Sequence, residues 1–284
     1  MTTIGFVGLG RMGGAMASHL VGAGHRVVGF DPSPEAREAA AASGVEVVGS
    51  ISDLTVPLVM SSLPGDAESK EVFLGGLFEV MDPNGLCVDL STIGVGTSQR
   101  IAAAASHAGH RFIDCPVSGT SVHARSGTLA VMAGGEPGDV EEARPLLATF
   151  ASSVHYLGPN GAGLEMKLIT NRLLNAHVVA IAEAILAMED AGLETAACLE
   201  LLRQGAVPRL LDYKAGPMSE RDHSPLFTVD LMAKDLGLAD ERRPAGAVTE
   251  AGAVTLRRAR EQGWGASDIS SVIEVLEEGA TPPS

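Results

Sequence analysis

Thr3-Ile4-Gly5-Phe6-Val7-Gly8-Leu9-Gly10-Arg11-Met12-Gly13 opens with a short apolar run and breaks into glycines at positions 8, 10 and 13. A proline-free run over residues 14–23 follows, so the stretch reads as strand, glycine turn and helix. In that setting each glycine has its own task. The first makes the tight turn, the second lets a pyrophosphate approach the backbone at the helix N-terminus, and the third permits close packing of helix on strand. The next apolar run, 26–30, ends at Asp31, about 20 residues past the motif, where a carboxylate accepts hydrogen bonds from the adenine-ribose hydroxyls. Gly8, Leu9, Gly10, Arg11, Met12, Gly13 and Asp31 are therefore predicted to bind a dinucleotide. NAD is expected over NADP, because a 2′-phosphate would meet the Asp31 carboxylate. Arg37, one turn into the next helix, is read as solvated.

Beyond Asp31 the alternation of strand and helix continues. Strands are predicted at 45–48, 58–62, 86–90, 112–115, 129–133 and 154–157, with helices at 34–42, 67–78, 97–108 and 140–151 between them. Such alternation gives an α/β fold with a doubly wound sheet. Ligands of these sheets collect at the carboxyl ends of the strands, which draws attention to Leu63-Pro64-Gly65, Ser91-Thr92-Ile93 and Pro116-Val117-Ser118-Gly119-Thr120. From Gly163 the pattern changes to helices alone, at 194–203, 226–242, 245–262 and 267–278, and the tail 279–284 is expected to be disordered. The domains are accordingly drawn as 1–162 and 163–284.

The change of pattern falls in Gly158-Pro159-Asn160-Gly161-Ala162-Gly163-Leu164-Glu165-Met166-Lys167-Leu168-Ile169-Thr170-Asn171, a turn that runs into a long helix ending near Asp190. Asn160 is placed to cap it, and Leu164, Leu168, Leu173, Leu174, Val178, Ile181 and Ile185 are its expected apolar face. At 1.5 Å per residue the stretch from Leu164 to Asp190 reaches roughly 40 Å, enough to lead from one domain into the next. Lys167 and Asn171 are four residues apart and share a helix face, an ammonium beside an amide that can orient it or a substrate oxygen. That pairing suits proton transfer.

Composition limits the partners. The 284 residues carry a net charge of −15, which opposes nucleic-acid backbones and anionic lipid, so an anionic small molecule needs local cations such as Lys167 and Lys234. No apolar stretch is long enough to span a membrane, and Met1-Thr2-Thr3 leads into a strand without an export signal. Cys87, Cys115 and Cys198 lack metal-ligand spacing, so reduced thiols in a cytoplasm and no metal are expected.

The order of motifs resembles the β-hydroxyacid dehydrogenase family, which includes 3-hydroxyisobutyrate and tartronate semialdehyde dehydrogenases. The matching residues run from Phe6 to Gly13 with Met16-Ala17, then Asp114-Cys115-Pro116-Val117-Ser118-Gly119, then Gly158 to Asn171, then Lys234-Asp235-Leu236. The resemblance implies a Rossmann-like N-terminal domain, an all-α C-terminal domain like that of 6-phosphogluconate dehydrogenase, and assembly into homodimers or homotetramers. It also implies NAD(P)-dependent hydride transfer on a short-chain 3-hydroxy acid or semialdehyde acid. Lys167 is then the general acid/base and Asn171 positions substrate; Ser118 and Gly119, with the neighbouring Thr120, hold its anionic group, and Lys234 lies near nicotinamide or substrate. Leu63, Pro64 and Thr92 complete the cofactor site. This chain has Thr120 where the family usually has a second glycine, which opens the anion site to sulfonates as well as carboxylates. His123 and Arg125 beyond it are read as solvated loop residues. The alternatives of the same fold are an imine reductase, which usually lacks the lysine, and a sulfonate-aldehyde reductase. A silent dinucleotide sensor would have no use for Lys167, Asn171 and Lys234 together.

Overall fold

The computed structural model describes residues 1–204 and 208–277; the 279–284 tail lies outside them. The chain forms two compact units that divide between Lys167 and Leu168.

The first unit is built on a sheet of β1 (Thr3–Val7), β2 (Arg26–Phe30), β3 (Glu46–Val47), β4 (Leu58–Ser61), β5 (Leu86–Asp89) and β6 (Arg111–Asp114). These strands are parallel and lie in the order β3-β2-β1-β4-β5-β6. β7 (Val117–Ser118) pairs antiparallel with β8 (Leu129–Gly134), which reverses direction and also runs antiparallel to β6, and β9 (Ala151–Gly158) pairs parallel to β8. The central strands β4 and β5 are buried on both faces, as their unbroken apolar runs require, whereas the edge strand β3 is exposed. Ile4, Phe6, Leu58, Met60, Leu86, Val88 and Ile113 point into one core with Met16, Ala17 and Leu20. Their neighbours Val59, Cys87 and Phe112 alternate to the opposite face, where Phe73 meets Phe112 edge-on at 5.4 Å. The connecting helices are α1 (Gly13–Gly22), α2 (Pro34–Ala42), α3 (Asp66–Val72), α4 (Phe78–Val80), α5 (Val95–His107), α6 (Ser121–Ser126) and α7 (Pro137–Leu147).

α8 (Ala162–Asp190) begins in the first unit and continues into the second. The second unit adds α9 (Thr195–Arg203), α10 (Pro208–Ser219), α11 (Val229–Arg242), α12 (Ala247–Glu261) and α13 (Val272–Leu276). Its core joins Val178, Ala182 and Ile185 of α8 to Leu199, Met218, Met232, Leu256, Trp264 and Ile273. The buried pair Lys214 Nζ and Asp268 Oδ1, 2.6 Å apart, sits in this unit, and Asp268 also accepts the Phe227 and Ser270 N–H groups. Burial pushes the Asp268 carboxyl up, but the Lys214 charge and these hydrogen bonds outweigh it and hold it below the ordinary Asp value. Among the described residues no helix is long and apolar enough to cross a membrane.

Several local expectations are corrected. Residues 148–151 do not extend α7: Ala151 pairs with Leu129 and begins β9. The helix expected at 67–78 is interrupted, with Gly76 at φ 126° between α3 and α4. The 267–278 helix shortens to a 3₁₀ turn, Ile269–Ser271, followed by α13. Leu173 of the expected apolar face is exposed.

Candidate active site

The glycine turn is shaped by what surrounds it. Gly8 has φ 88°, and a Cβ there would lie 2.2 Å from the Ser62 carbonyl oxygen. A Cβ on Gly13 would lie 1.9 Å from the Gly8 carbonyl oxygen, so the third glycine is what lets α1 start against the turn. Around Gly10 nothing lies within 4 Å of the missing Cβ, which leaves open space above the turn. Among the described residues no side chain caps the α1 N-terminus, which leaves the positive end of the helix dipole suited to an anion, although the Gly14 N–H already donates to the Gly10 carbonyl. Together, the crowded Gly8 and Gly13 and the open Gly10 fit a dinucleotide pyrophosphate.

Asp31, at the end of β2, is buried. Its Oδ2 accepts the Leu9 N–H at 2.7 Å and its Oδ1 accepts the Ser33 N–H at 2.8 Å. It thereby holds the glycine turn, and each oxygen keeps a second lone pair for a ribose hydroxyl. Leu9 contributes through its backbone, since its side chain is in the core. Arg37, expected to be solvated, instead donates to the Asp31 carbonyl oxygen at 2.6 Å. Leu63 packs beside Gly8, and its N–H donates to Ser91 Oγ at 2.8 Å. Ser91 in turn is held by Asp89 Oδ1, so the loops that carry Leu63, Pro64 and Thr92 are tied to each other at the carboxyl ends of β4 and β5. Arg11 and Pro64 are exposed, whereas Met12 is partly buried against the core.

Ser118 lies in β7, and Gly119 follows it at φ 131°. Thr120 is the N-cap of α6, which sequence inspection does not reveal. Its N–H donates to His123 Nδ1 at 3.1 Å, and its Oγ1 accepts the Val122 N–H at 3.3 Å. The Thr120 N–H and Oγ1 thus take part in a capping box on α6, in which Oγ1 acts as acceptor. His123 is correspondingly a helical, half-buried residue and not the solvated loop residue expected; Arg125 is also helical but exposed.

Lys167 is buried on the second turn of α8. The start of that helix is capped by Asp114, not by Asn160. Asp114 Oδ1 accepts the Gly161 N–H at 2.6 Å and Oδ2 accepts the Leu164 N–H at 3.0 Å, while Asn160 Nδ2 donates to the Phe112 carbonyl. Burial raises the Asp114 carboxyl to about 6, against the lowering effect of those two N–H groups.

Asn171 and Asn175 continue the helix stripe of Lys167 at four-residue intervals, and both are buried. Asn171 Nδ2 donates to Asp235 Oδ2 at 2.5 Å, and Lys234 Nζ lies 3.1 Å from the other oxygen of the same carboxylate. Asp235 thus brings Asn171 and Lys234 together within the helical unit. Its role was missed because the motif Lys234-Asp235-Leu236 directed attention to the lysine alone. Gly252 makes room for Asn175, whose Nδ2 would lie 2.5 Å from a Cβ at that position.

Comparison with known proteins matches residues 3–158 to the NAD-binding domain of 6-phosphogluconate dehydrogenase. Residues 161–276 match the domain described as NAD-binding of NADP-dependent 3-hydroxyisobutyrate dehydrogenase. An NAD-dependent L-serine dehydrogenase of Pseudomonas aeruginosa is 34% identical, over 98% of both chains. The structure of Mycobacterium tuberculosis 3-hydroxyisobutyrate dehydrogenase with L-serine superposes with a TM-score of 0.88 at 33% identity, covering 98% of this chain and 99% of that one. Psf3, solved with NADP+ and 2-OPP, gives a TM-score of 0.89 at 25% identity over 96% of this chain and all of its own.

Proposed function

Because the chain belongs to the β-hydroxyacid dehydrogenase family and is an NAD(P)-dependent oxidoreductase, we propose that it oxidises a short-chain 3-hydroxy acid with Lys167 as general base. In the reverse direction the same lysine is the general acid. The carrying observation is the buried Lys167 one helical turn from an Asn171 whose amide is fixed by Asp235.

A carboxylate only accepts hydrogen bonds, so Asp235 determines which end of the Asn171 amide carries the NH₂ and leaves the carbonyl oxygen to accept from an ammonium or a substrate hydroxyl. Bound NAD(P) supplies the hydride acceptor or donor. As the hydroxyl carbon is oxidised, the neutral Lys167 amine takes the hydroxyl proton; in reduction its ammonium returns a proton to the developing alkoxide. Asn171 orients the reacting oxygen. Ser118 Oγ and the Gly119 N–H hold the substrate carboxylate, with Thr120 shaping that loop through its cap on α6. Lys234 is paired with Asp235 within the helical unit.

The substrate class is a hydroxyl on the carbon next to the α-carbon of a small acid. 3-Hydroxyisobutyrate and L-serine both have this arrangement, and both occur in the names of similar proteins. Carboxylates rank before sulfonates. NAD is preferred over NADP, since a 2′-phosphate would approach the carboxylate of Asp31. Following the absorbance of reduced cofactor with a panel of 3-hydroxy acids, their amides and both cofactors tests the reading. Activity should fall steeply for the amides and be higher with NAD; equal turnover of a neutral alcohol, or a clear NADP advantage, would contradict the respective assignment.

A further inference from the structure

We propose that Asp114 is a positioning residue for Lys167, holding the first turn of α8 against the carboxyl end of β6. The proposal rests on the assignment of Lys167 above.

The carboxylate bonds the two ends of that turn separately, Gly161 N–H through Oδ1 and Leu164 N–H through Oδ2. Leu164 precedes Lys167 by three residues, so the lysine is about 4.5 Å further along the axis from the second of these bonds. The surroundings are cut to fit the carboxylate. A Cβ on Gly134 would lie 2.7 Å from Oδ1, and one on Gly163 would lie 2.9 Å from Oδ2. Asn160, the local candidate for the cap, is turned to the Phe112 carbonyl. Asp114 also begins the segment Cys115-Pro116 that leads to Ser118 in β7, so one side chain sets both the helix of the proposed base and the strand end that leads to the proposed anion site.

Asparagine in this place keeps one acceptor but turns an NH₂ toward an N–H donor, so one end of the turn is released. A shift of about 1 Å in a reacting group is enough to cost roughly 10²-fold in rate. Asp114→Asn is therefore expected to lower kcat by tenfold or more per cofactor-binding site, counted by stoichiometric titration of NADH fluorescence, with the cofactor Kd within twofold of wild type. Counting sites separates a misplaced lysine from a smaller folded fraction.

The decisive arm is single-turnover hydride transfer in the Lys167→Ala background. If Asp114 acts through the lysine, adding Asp114→Asn to Lys167→Ala changes the residual rate by less than twofold; a further tenfold loss there would assign Asp114 a merely structural role and overturn the proposal. Gly134→Ala, whose Cβ would meet Asp114 Oδ1 at 2.7 Å and the Gly163 backbone nitrogen at 2.9 Å, crowds the carboxylate and the helix start together and should also lower per-site kcat, which supplies a second variant where Asp114→Asn does not fold. Per-site kcat within twofold of wild type in the folded variants would also overturn the proposal. Full activity of Lys167→Ala itself would instead remove the general-base assignment on which it rests.

Discussion

Replacing Gly13 and Gly10 by alanine in turn should produce opposite phenotypes, although the two glycines belong to one short turn. A Cβ on Gly13 meets the Gly8 carbonyl oxygen at 1.9 Å and Phe6 Cε1 at 3.0 Å, and the first of these is backbone that cannot rotate away. Real Cβ contacts essentially never fall below about 3 Å, so α1 must move by about 1 Å from β1. Overpacking of this kind costs roughly 1–3 kcal/mol. For a unit of this size each kcal/mol lowers Tm by roughly 2–4 °C, which puts Gly13→Ala several degrees below wild type. A Cβ on Gly10 meets nothing within 4 Å, so Gly10→Ala should melt within about 2 °C of wild type. Its methyl group would instead fill the space assigned to the pyrophosphate, and NADH should bind at least tenfold more weakly. Thermal unfolding and fluorescence titration of both variants read these quantities. Wild-type Tm for Gly13→Ala, or wild-type NADH affinity for Gly10→Ala, would refute the reasoning.

Asp268→Ala leaves Lys214 buried without its partner and should destabilise the helical unit by about 3–5 kcal/mol, measured by denaturant unfolding. Because the folded Asp268 lies below the ordinary Asp value, its contribution is present above about pH 4 and is lost as pH falls through the folded value, so the wild-type advantage over this variant should shrink in acid. Asp114 has the opposite sign: its folded value is raised from 3.8 to about 6, so the folded state binds the proton more tightly. The stability of wild type relative to Asp114→Asn should therefore fall by roughly 2 kcal/mol as pH rises from 4 to 7, and a flat difference would contradict this. His123→Ala removes the acceptor for the Thr120 N–H and should lower stability by about 1 kcal/mol while shifting preference among short acids, since α6 begins beside the anion site.

The fold was legible wherever side-chain periodicity reports burial. Strands such as Leu58–Ser61 and Leu86–Asp89 are buried on both faces and so appear as unbroken apolar runs. β7 is two residues long and too short to show a period, and α6 starts from a capping box closed by His123 in place of the usual acidic partner. α10 is not among the expected helices, and its Gly216 and Pro217 fall in its last turn. Lys167 and Asn171 could be singled out from their spacing on one helix. Asp114 and Asp235 could not, because their partners lie 47 and 64 residues away in sequence and only the tertiary fold brings them together. For the same reason Asn160, the local capping candidate, lost the helix start to a carboxylate from another strand.

Single-turnover reduction of NAD by the preferred 3-hydroxy acid, in wild type and in Lys167→Ala, tests the central claim most directly. Removal of the general base should slow hydride transfer by roughly 10² to 10⁴, with NADH affinity unchanged because the glycine turn and Asp31 are untouched. A folded Lys167→Ala protein that transfers hydride at the wild-type rate would contradict the account.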